Sequence, residues 1–246
     1  KEKIFILGAG SNILISDNIY DGVIIKLGKN FSNISLLTNN IIVAGSASTD
    51  KKISEFALDN ELGGFEFLTC IPGTIGGGLR MNAGCFNSEI KDILVSVQAI
   101  DRLGKVITIP ANKILFKYRN NNLPEDLIFL SASFKGEKKD KEMIEKKMKE
   151  LKKTKDYSQP TKIKTSGSTF KNPIEQTDKK VWELIRDSVP LDTSFGDAHI
   201  SEIHANFFVN KNNASFNDMK KLIEFVAKSV EKKTGIKLEK EIKILE

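Results

Sequence analysis

The stretch from Ile71 to Gly84, IPGTIGGGLRMNAG, constrains the fold of this chain more than any other part of it. Five of the twelve residues from Gly73 to Gly84 are glycine, and Pro72 and the Asn82-Ala83-Gly84 run add turn residues at its ends. Such a segment forfeits much conformational entropy on folding. A segment that only turned a corner would not need so many glycines. The pattern fits backbone brought close to a long, flat, diphosphate-bearing cofactor. A shorter loop, Leu7-Gly8-Ala9-Gly10-Ser11-Asn12, follows the apolar run Ile4–Leu7. Its successive amides could cradle a phosphate. The spacing departs from the dinucleotide fingerprint, because the third glycine of G-x-G-x-x-G would fall at Ile13, and no P-loop Lys-Ser/Thr pair follows. By itself this loop reads more simply as a tight turn.

The rest of the chain divides by texture. From Ile4 to about Phe134 it is β-rich, with strands predicted at Ile4–Leu7, Gly22–Leu27, Asn40–Ala44, Leu94–Ile100, Lys105–Ile109 and Leu127–Phe134. Lys51–Asn60 reads as a helix, and Glu137–Lys155 as an amphipathic one with Met143, Ile144, Met148 and Leu151 on one face. Ser158–Pro160 breaks it. A smaller α+β region then brings a glycine turn into a strand at Thr165–Phe170, a short helix at Val181–Arg186 and a strand at Ala205–Val209. A long helix follows at Asn217–Thr234, stopped by Gly235, and Lys237–Leu245 alternates like a final strand. Nothing repeats at a fixed period, and 246 residues suit two lobes.

Composition narrows the function classes. The hydrophobic fraction is 40%, yet no stretch approaches the roughly 18 apolar residues of a membrane helix. The opening KEKIFILGAGSN reads as a buried strand entering a turn rather than a signal peptide. Thirty-eight basic against 32 acidic side chains leave a net charge of +6. Much of the lysine alternates with acids between Lys135 and Lys155, the mark of a solvated helix face, and no aromatics are interleaved there to stack bases. Cys70 and Cys85 are too few for a disulfide framework, so a reducing, cytoplasmic setting is expected. His199 and His204 are poorly spaced for a metal on one helix face, and no cysteine–carboxylate cluster joins them.

LGAGSN followed by IPGTIGGGLRMNAG resembles the UDP-N-acetylenolpyruvoylglucosamine reductase family. Three further landmarks stand in the family's order: Tyr118-Arg119, then SGSTFKNP from Ser166 to Pro173, then Leu238-Glu239-Lys240-Glu241-Ile242. The resemblance runs over essentially the whole chain. It implies an α+β fold with a two-part FAD-binding region of the vanillyl-alcohol-oxidase type plus a smaller α+β substrate-binding domain. Residues 1–157 are then the FAD-binding region, in two subdomains, 158–234 the substrate-binding domain, and 235–246 a C-terminal strand returning to the FAD-binding region. Family members carry several dozen residues ahead of the LGAGSN strand, including a Gly-Gly segment at the flavin site. Lys1 stands almost at that strand, so the FAD-binding region is expected to be shortened at its N-terminus.

The implied activity is reduction of the enolpyruvyl group of UDP-N-acetylglucosamine enolpyruvate to UDP-N-acetylmuramate. The hydride would come from NADPH through non-covalent FAD. That is a step of peptidoglycan precursor synthesis, and so of cell-wall biogenesis, cell shape and division. A monomer is expected, with no nucleic-acid, membrane or metal partner. His199 and His204 lie far along the sequence from the glycine loops, in keeping with an untethered flavin.

Reducing an enolpyruvyl ether takes a hydride at one alkene carbon and a proton at the other, so the protein must orient, polarise and protonate. On the resemblance, Arg119 faces the substrate carboxylate, where a planar guanidinium binds in two-pronged fashion. Asn120-Asn121 follow it in place of the family's usual Asp/Ser pair. Ser168 matches the proton donor; spacing does not separate it from the hydroxyls of Ser166 and Thr169, whereas the motif does. Glu241 matches the acid of the C-terminal motif, expected to stabilise the enol-like intermediate in protonated form, with Glu239 on the same side were the segment a strand. Gly8, Gly10, Ser11, Asn12, Ile71, Pro72, Gly73, Thr74, Gly76, Gly77, Asn82, Ala83, Gly84 and Lys243 are assigned to the cofactor. Tyr118, Lys171 and Asn172 are assigned to the substrate. Two rivals stand beside this reading. Another flavin oxidoreductase of the superfamily would leave GSTFKNP unused, and a basic nucleotide-binding module would leave Arg119, Ser168 and Glu241 unexplained.

Overall fold

A computed structural model of the chain describes residues 3–160 and 163–246; Lys1, on which the expected shortening rests, lies outside them. Two compact units emerge. One comprises residues 3–9 and Gly22–Lys155, the other Gly10–Asp21 and Asp156–Glu246.

In the first unit, five antiparallel strands run in the order Val106–Pro110, Leu94–Ile100, Ile128–Lys135, Ile41–Gly45, Ile34–Leu37. Period-two alternation sets the buried face: Ile42 and Ala44 point inward from one strand, Ala132 and Phe134 from its neighbour. The helix Asp50–Asp59 starts where the Thr49 hydroxyl accepts the Lys52 amide at 3.3 Å, and buries Ile53 and Ala57 one turn apart. Phe65 and Phe134 meet edge to face at 6.4 Å in the core. The N-terminal strand Ile4–Ile6 pairs in parallel with Val23–Ile25, but Ile4, Val23 and Ile24 are exposed, so it is not the buried strand the sequence predicts. The helix Lys141–Ser158 begins later than predicted because Glu137–Lys138 pairs with Leu62–Gly63. Ile144 and Leu151 form its buried side, whereas Met143 is 59% exposed and off that face. Ser158 is its last residue, one turn beyond the predicted end at Lys155.

In the second unit the antiparallel sheet order is Lys164–Ser168, Phe207–Asn210, Ala198–Ile200, Ser194–Phe195. The helices Val181–Ser188 and Phe216–Thr234 pack on each other and share its core. Ser215 and Asp218 form a reciprocal cap on the longer helix, Leu222, Val226 and Val230 recur along its buried stripe, and Gly235 ends it at φ +74°. The predicted final strand shrinks to Lys243–Leu245, paired in parallel with Ile13–Ile15. It pairs with the N-terminal stretch, which belongs to the same unit as the C-terminal region. Residues 10–21 thus pack with the C-terminal region.

Candidate functional site

The glycine segment is no open loop. Ile75–Met81 is a helix, ended by Asn82 at φ +42°. Most of its glycines answer to packing. A Cβ on Gly73 would lie 2.7 Å from Asp50 Oδ2, on Gly76 3.1 Å from Ser46 Cβ, on Gly78 2.6 Å from Ile90 Cδ1, and on Gly84 2.4 Å from the Ser88 carbonyl oxygen. At these positions neighbours within the unit crowd out a side chain, a reason for glycine that is independent of any cofactor. Gly77 differs. It is exposed, and its Cβ would find nothing nearer than Thr74 Oγ1 at 3.7 Å. Gly8 meets the same place, its Cβ position 2.7 Å from Thr74 Oγ1 and 3.9 Å from the Gly77 nitrogen. Gly8, Thr74 and Gly77 thus come together, Gly8 closed off by the Thr74 side chain and Gly77 leaving exposed backbone with room beside it, and that backbone fits a flavin nucleotide. Ile71, Thr74 and Ala83 are half-buried, and Pro72 is exposed.

Behind that backbone lie groups that the sequence reading missed. The Ser48 and Ser46 carbonyls accept the Ile75 and Gly76 amides, each at 2.9 Å, and the Asp50 amide donates to the Gly73 carbonyl at 3.2 Å. The Ser46 and Ser48 hydroxyls and both Asp50 carboxyl oxygens are buried without a hydrogen-bond partner among the described residues. Burial pushes the Asp50 carboxyl up to about 7. No local signal distinguishes Asp50 from an ordinary helix-start acid, because its burial comes from residues over twenty positions away.

Arg119 lies in the same unit at φ +55°, in a turn closed by hydrogen bonds between Lys117 and Asn120 at 2.8 and 3.1 Å. Its Nη2 donates to the Gly84 carbonyl at 3.3 Å, and its guanidinium carbon lies 5.0 Å from the centre of the Tyr118 ring. The unusual Asn121 is buried and donates to the Leu79 carbonyl at 3.0 Å. Asn82, assigned to the cofactor, is fully buried with its amide engaged by Glu89, Lys91 and the Lys117 carbonyl. Its side chain is thus engaged by the fold around the turn bearing Arg119. Beside Gly84, the Cys85 thiol donates to the Phe67 carbonyl at 3.2 Å, and its neighbour Cys70 and then burial push its pKa upward.

The second unit holds the other landmarks. Ser168 ends its strand one residue after Gly167, which sits at φ +82°, and the strand register shifts between Thr165 and Ser168. The bulge turns the half-buried Ser168 out of strict alternation. The next residue, Thr169, is buried and its carbonyl accepts the Glu241 amide at 2.8 Å. Asn12 Nδ2 donates to the Glu241 carbonyl at 3.0 Å, and the Asn12 carbonyl accepts the Lys243 amide at 3.0 Å. The Ser168 and Glu241 segments are therefore neighbours, bracketed by Thr169 and Asn12. Residues 239–241 are not a strand, and Glu239 leads out to an ion pair with Lys171 at 2.5 Å. Asn172 Oδ1 accepts the Val181 amide at 3.0 Å, fixing the start of a helix. Gly10, at φ +79°, has open space where a Cβ would stand, Ser11 is half-buried and the Lys243 residue exposed. Burial lowers the His204 pKa, its Nδ1 accepts the Asn206 amide, and its ring packs on Trp182 and Phe207. Among the described residues no group of three or more His, Cys, Asp or Glu could hold a metal, and no helix is long and apolar enough to cross a membrane.

Comparison with known proteins bears on these arrangements. Residues 159–245 match the family model of the UDP-N-acetylenolpyruvoylglucosamine reductase C-terminal domain, and residues 1–110 that of an FAD binding domain. A UDP-N-acetylenolpyruvoylglucosamine reductase of Pelagibacter ubique (strain HTCC1062) is 77% identical over 245 residues, spanning 100% of this chain and 81% of the relative. The chain belongs to the UDP-N-acetylenolpyruvoylglucosamine reductase family. A member from Rickettsia typhi (strain ATCC VR-144 / Wilmington) is 46% identical over 243 residues, covering 99% of this chain and 81% of its own. The crystal structure of the Thermus caldophilus reductase superposes with a TM-score of 0.86 at 29% identity, over 100% of this chain and 86% of that one. Membership in this reductase family, with its FAD binding domain, makes the chain a flavin oxidoreductase of α+β fold.

Proposed function

We propose that this chain reduces the enolpyruvyl group of UDP-N-acetylglucosamine enolpyruvate to UDP-N-acetylmuramate with NADPH, in cytoplasmic peptidoglycan precursor synthesis. The observation that carries the reading is the 77% identity, over the full chain, to a UDP-N-acetylenolpyruvoylglucosamine reductase. The exposed backbone at Gly77, beside Gly8 and Thr74, supports a non-covalently held FAD, which when bound supplies the hydride. Arg119 binds the substrate carboxylate and stabilises the negative charge that delocalises into it. Ser168 delivers the proton to the alkene carbon that does not receive the hydride, from a position set by the Gly167 turn. Glu241, its backbone held by Thr169 and Asn12, bears on the same enol-like intermediate. Lys171 offers positive charge to the UDP-sugar, in exchange for its ion pair with Glu239.

The test is an anaerobic absorption experiment on the FAD-loaded chain. NADPH is expected to bleach the flavin bands and the enolpyruvyl UDP-sugar to restore them. Bands that bleach but do not return with that sugar would overturn the reading. Ser168→Ala is expected to retain FAD and bleaching while slowing recovery by about 10²–10⁴-fold. Unchanged recovery would remove Ser168 from the proton-donor role.

A further inference from the structure

Arg119 occupies a left-handed backbone conformation at φ +55°. An L-residue holds such a conformation only where its surroundings over-determine it. Beyond the Lys117–Asn120 turn and the contact with Gly84, restraints on its segment come from the C-terminal end of the helix Ile75–Met81. Upstream, Asn82 Nδ2 donates to the Lys117 carbonyl at 3.3 Å. Downstream, the Leu79 carbonyl accepts Asn121 Nδ2 at 3.0 Å. Between them in sequence stands Arg80. Its Nη1 donates to the carbonyls of Leu123 at 3.3 Å and Pro124 at 2.9 Å, and its Nη2 to that of Leu127 at 2.7 Å.

The chemistry of that contact is specific. Three carbonyls converge on one planar fork, a pattern a lysine ammonium cannot match from a single nitrogen. The guanidinium carbon lies 4.3 Å from the centre of the Phe129 ring, which fixes the plane of the fork. Burial lowers the pKa of Arg80, while Glu125 and Asp126 act to keep the charge. Four residues after Arg119 the chain thus enters a clamp, and the same short helix carries Gly77 near its other end.

We propose that Arg80 is a positioning residue for Arg119, fixing the 117–127 segment so that the Arg119 guanidinium is set for the substrate carboxylate. The proposal rests on the reading of Arg119 given above. Arg80 touches no reacting atom; it acts through the backbone that bears Arg119. A lysine at position 80 keeps charge and length and loses the fork.

The experiment is a double-mutant cycle on the full FAD-loaded chain with Arg80→Lys, Arg119→Lys and the double variant. Two readouts are taken: the rate at which the enolpyruvyl UDP-sugar restores the flavin bands, and amide hydrogen exchange over 117–127, which needs no turnover. Arg80→Lys is expected to slow recovery roughly 10–100-fold. The double variant should be no slower than Arg119→Lys alone, and exchange should quicken at Asn120 and Leu123. Additive losses in the cycle, or faster exchange with unchanged recovery, would overturn the proposal and leave Arg80 a stabilising contact only. Should Arg80→Lys fail to fold, Phe129→Leu loosens the fork without touching its acceptors and is taken through the same cycle. A wild type that the sugar does not restore, or an Arg119→Lys without effect, overturns the functional reading and this proposal with it. A working wild type with an additive cycle overturns this proposal alone.

Discussion

Asp50 opens the helix Asp50–Asp59 with a side chain that is 0% exposed and whose two oxygens find no hydrogen-bond partner among the described residues. A helix start favours the ionised form, but burial wins and holds the carboxyl up at about 7, against 3.8 in the open chain. The sign of the linkage follows. Below about pH 4 both states carry the proton and nothing is lost; as pH rises to about 7 only the folded chain keeps it, so stability falls across that window and is flat above. The loss is on the order of 4 kcal/mol. Asp50→Asn is expected to abolish the slope, so that urea unfolding gives similar stabilities at about pH 5 and about pH 8 while the wild type weakens. A wild type as pH-flat as the variant would refute the account. The burial of Asp50 was not legible in the sequence, since an acid after a threonine cap looks the same whether or not a glycine segment later folds over it.

At the scale of the element, the helix Ile75–Met81 carries two kinds of glycine that propensity cannot tell apart. Gly78 faces the core, and its added Cβ would press on the fully buried Ile90 at 2.6 Å. Gly77 is exposed, and its added Cβ would make only an ordinary contact, with Thr74 Oγ1 at 3.7 Å. Gly78→Ala is expected to destabilise by about 1–3 kcal/mol through overpacking, despite the better helix former. Gly77→Ala should raise the stability of the FAD-free chain by roughly 0.5–1 kcal/mol and weaken FAD retention, because the new methyl occupies the room beside that backbone. Thermal unfolding and equilibrium dialysis with FAD measure the two effects. Dialysis showing FAD held as tightly by the Gly77 variant would take that backbone out of the cofactor site. The helix was hidden because three successive glycines argue against one locally, whereas the amides of Ile75 and Gly76 find their acceptors in Ser48 and Ser46.

At the scale of the whole molecule, the second unit is assembled from two separated stretches of chain, joined by the parallel pair Ile13–Ile15 with Lys243–Leu245. Leu245 is buried, and its carbonyl accepts the Ser16 amide at 2.8 Å. Ending the chain after Ile242 removes that pairing. Stability of the second unit should fall by at least about 2 kcal/mol, the order of one buried leucine, and amides at 13–16 should lose protection from exchange. Unaltered exchange there would show that the C-terminal strand does not anchor this stretch. The chain crosses between units three times, after Ala9, Asp21 and Lys155, and only the last crossing lies near a boundary that composition marks.

What the sequence by itself determined is whatever nearest neighbours encode. The strand Leu94–Ile100 and the long helix, Asn217–Thr234 predicted and Phe216–Thr234 observed, were legible from period and caps, as was the left-handed stop at Gly235. Motif order alone singled out Arg119, Ser168 and Glu241. Only the tertiary structure decided that Glu239 pairs outward with Lys171 while Glu241 is bracketed by Thr169 and Asn12. It alone gave Asn82 and Arg80 to the segment bearing Arg119, and most glycines of the dense run to packing. The physical reason is range: backbone propensity and side-chain period act over a few residues, whereas most of these contacts join residues from 12 to over 200 positions apart, and only chain return brings their atoms within about 3 Å.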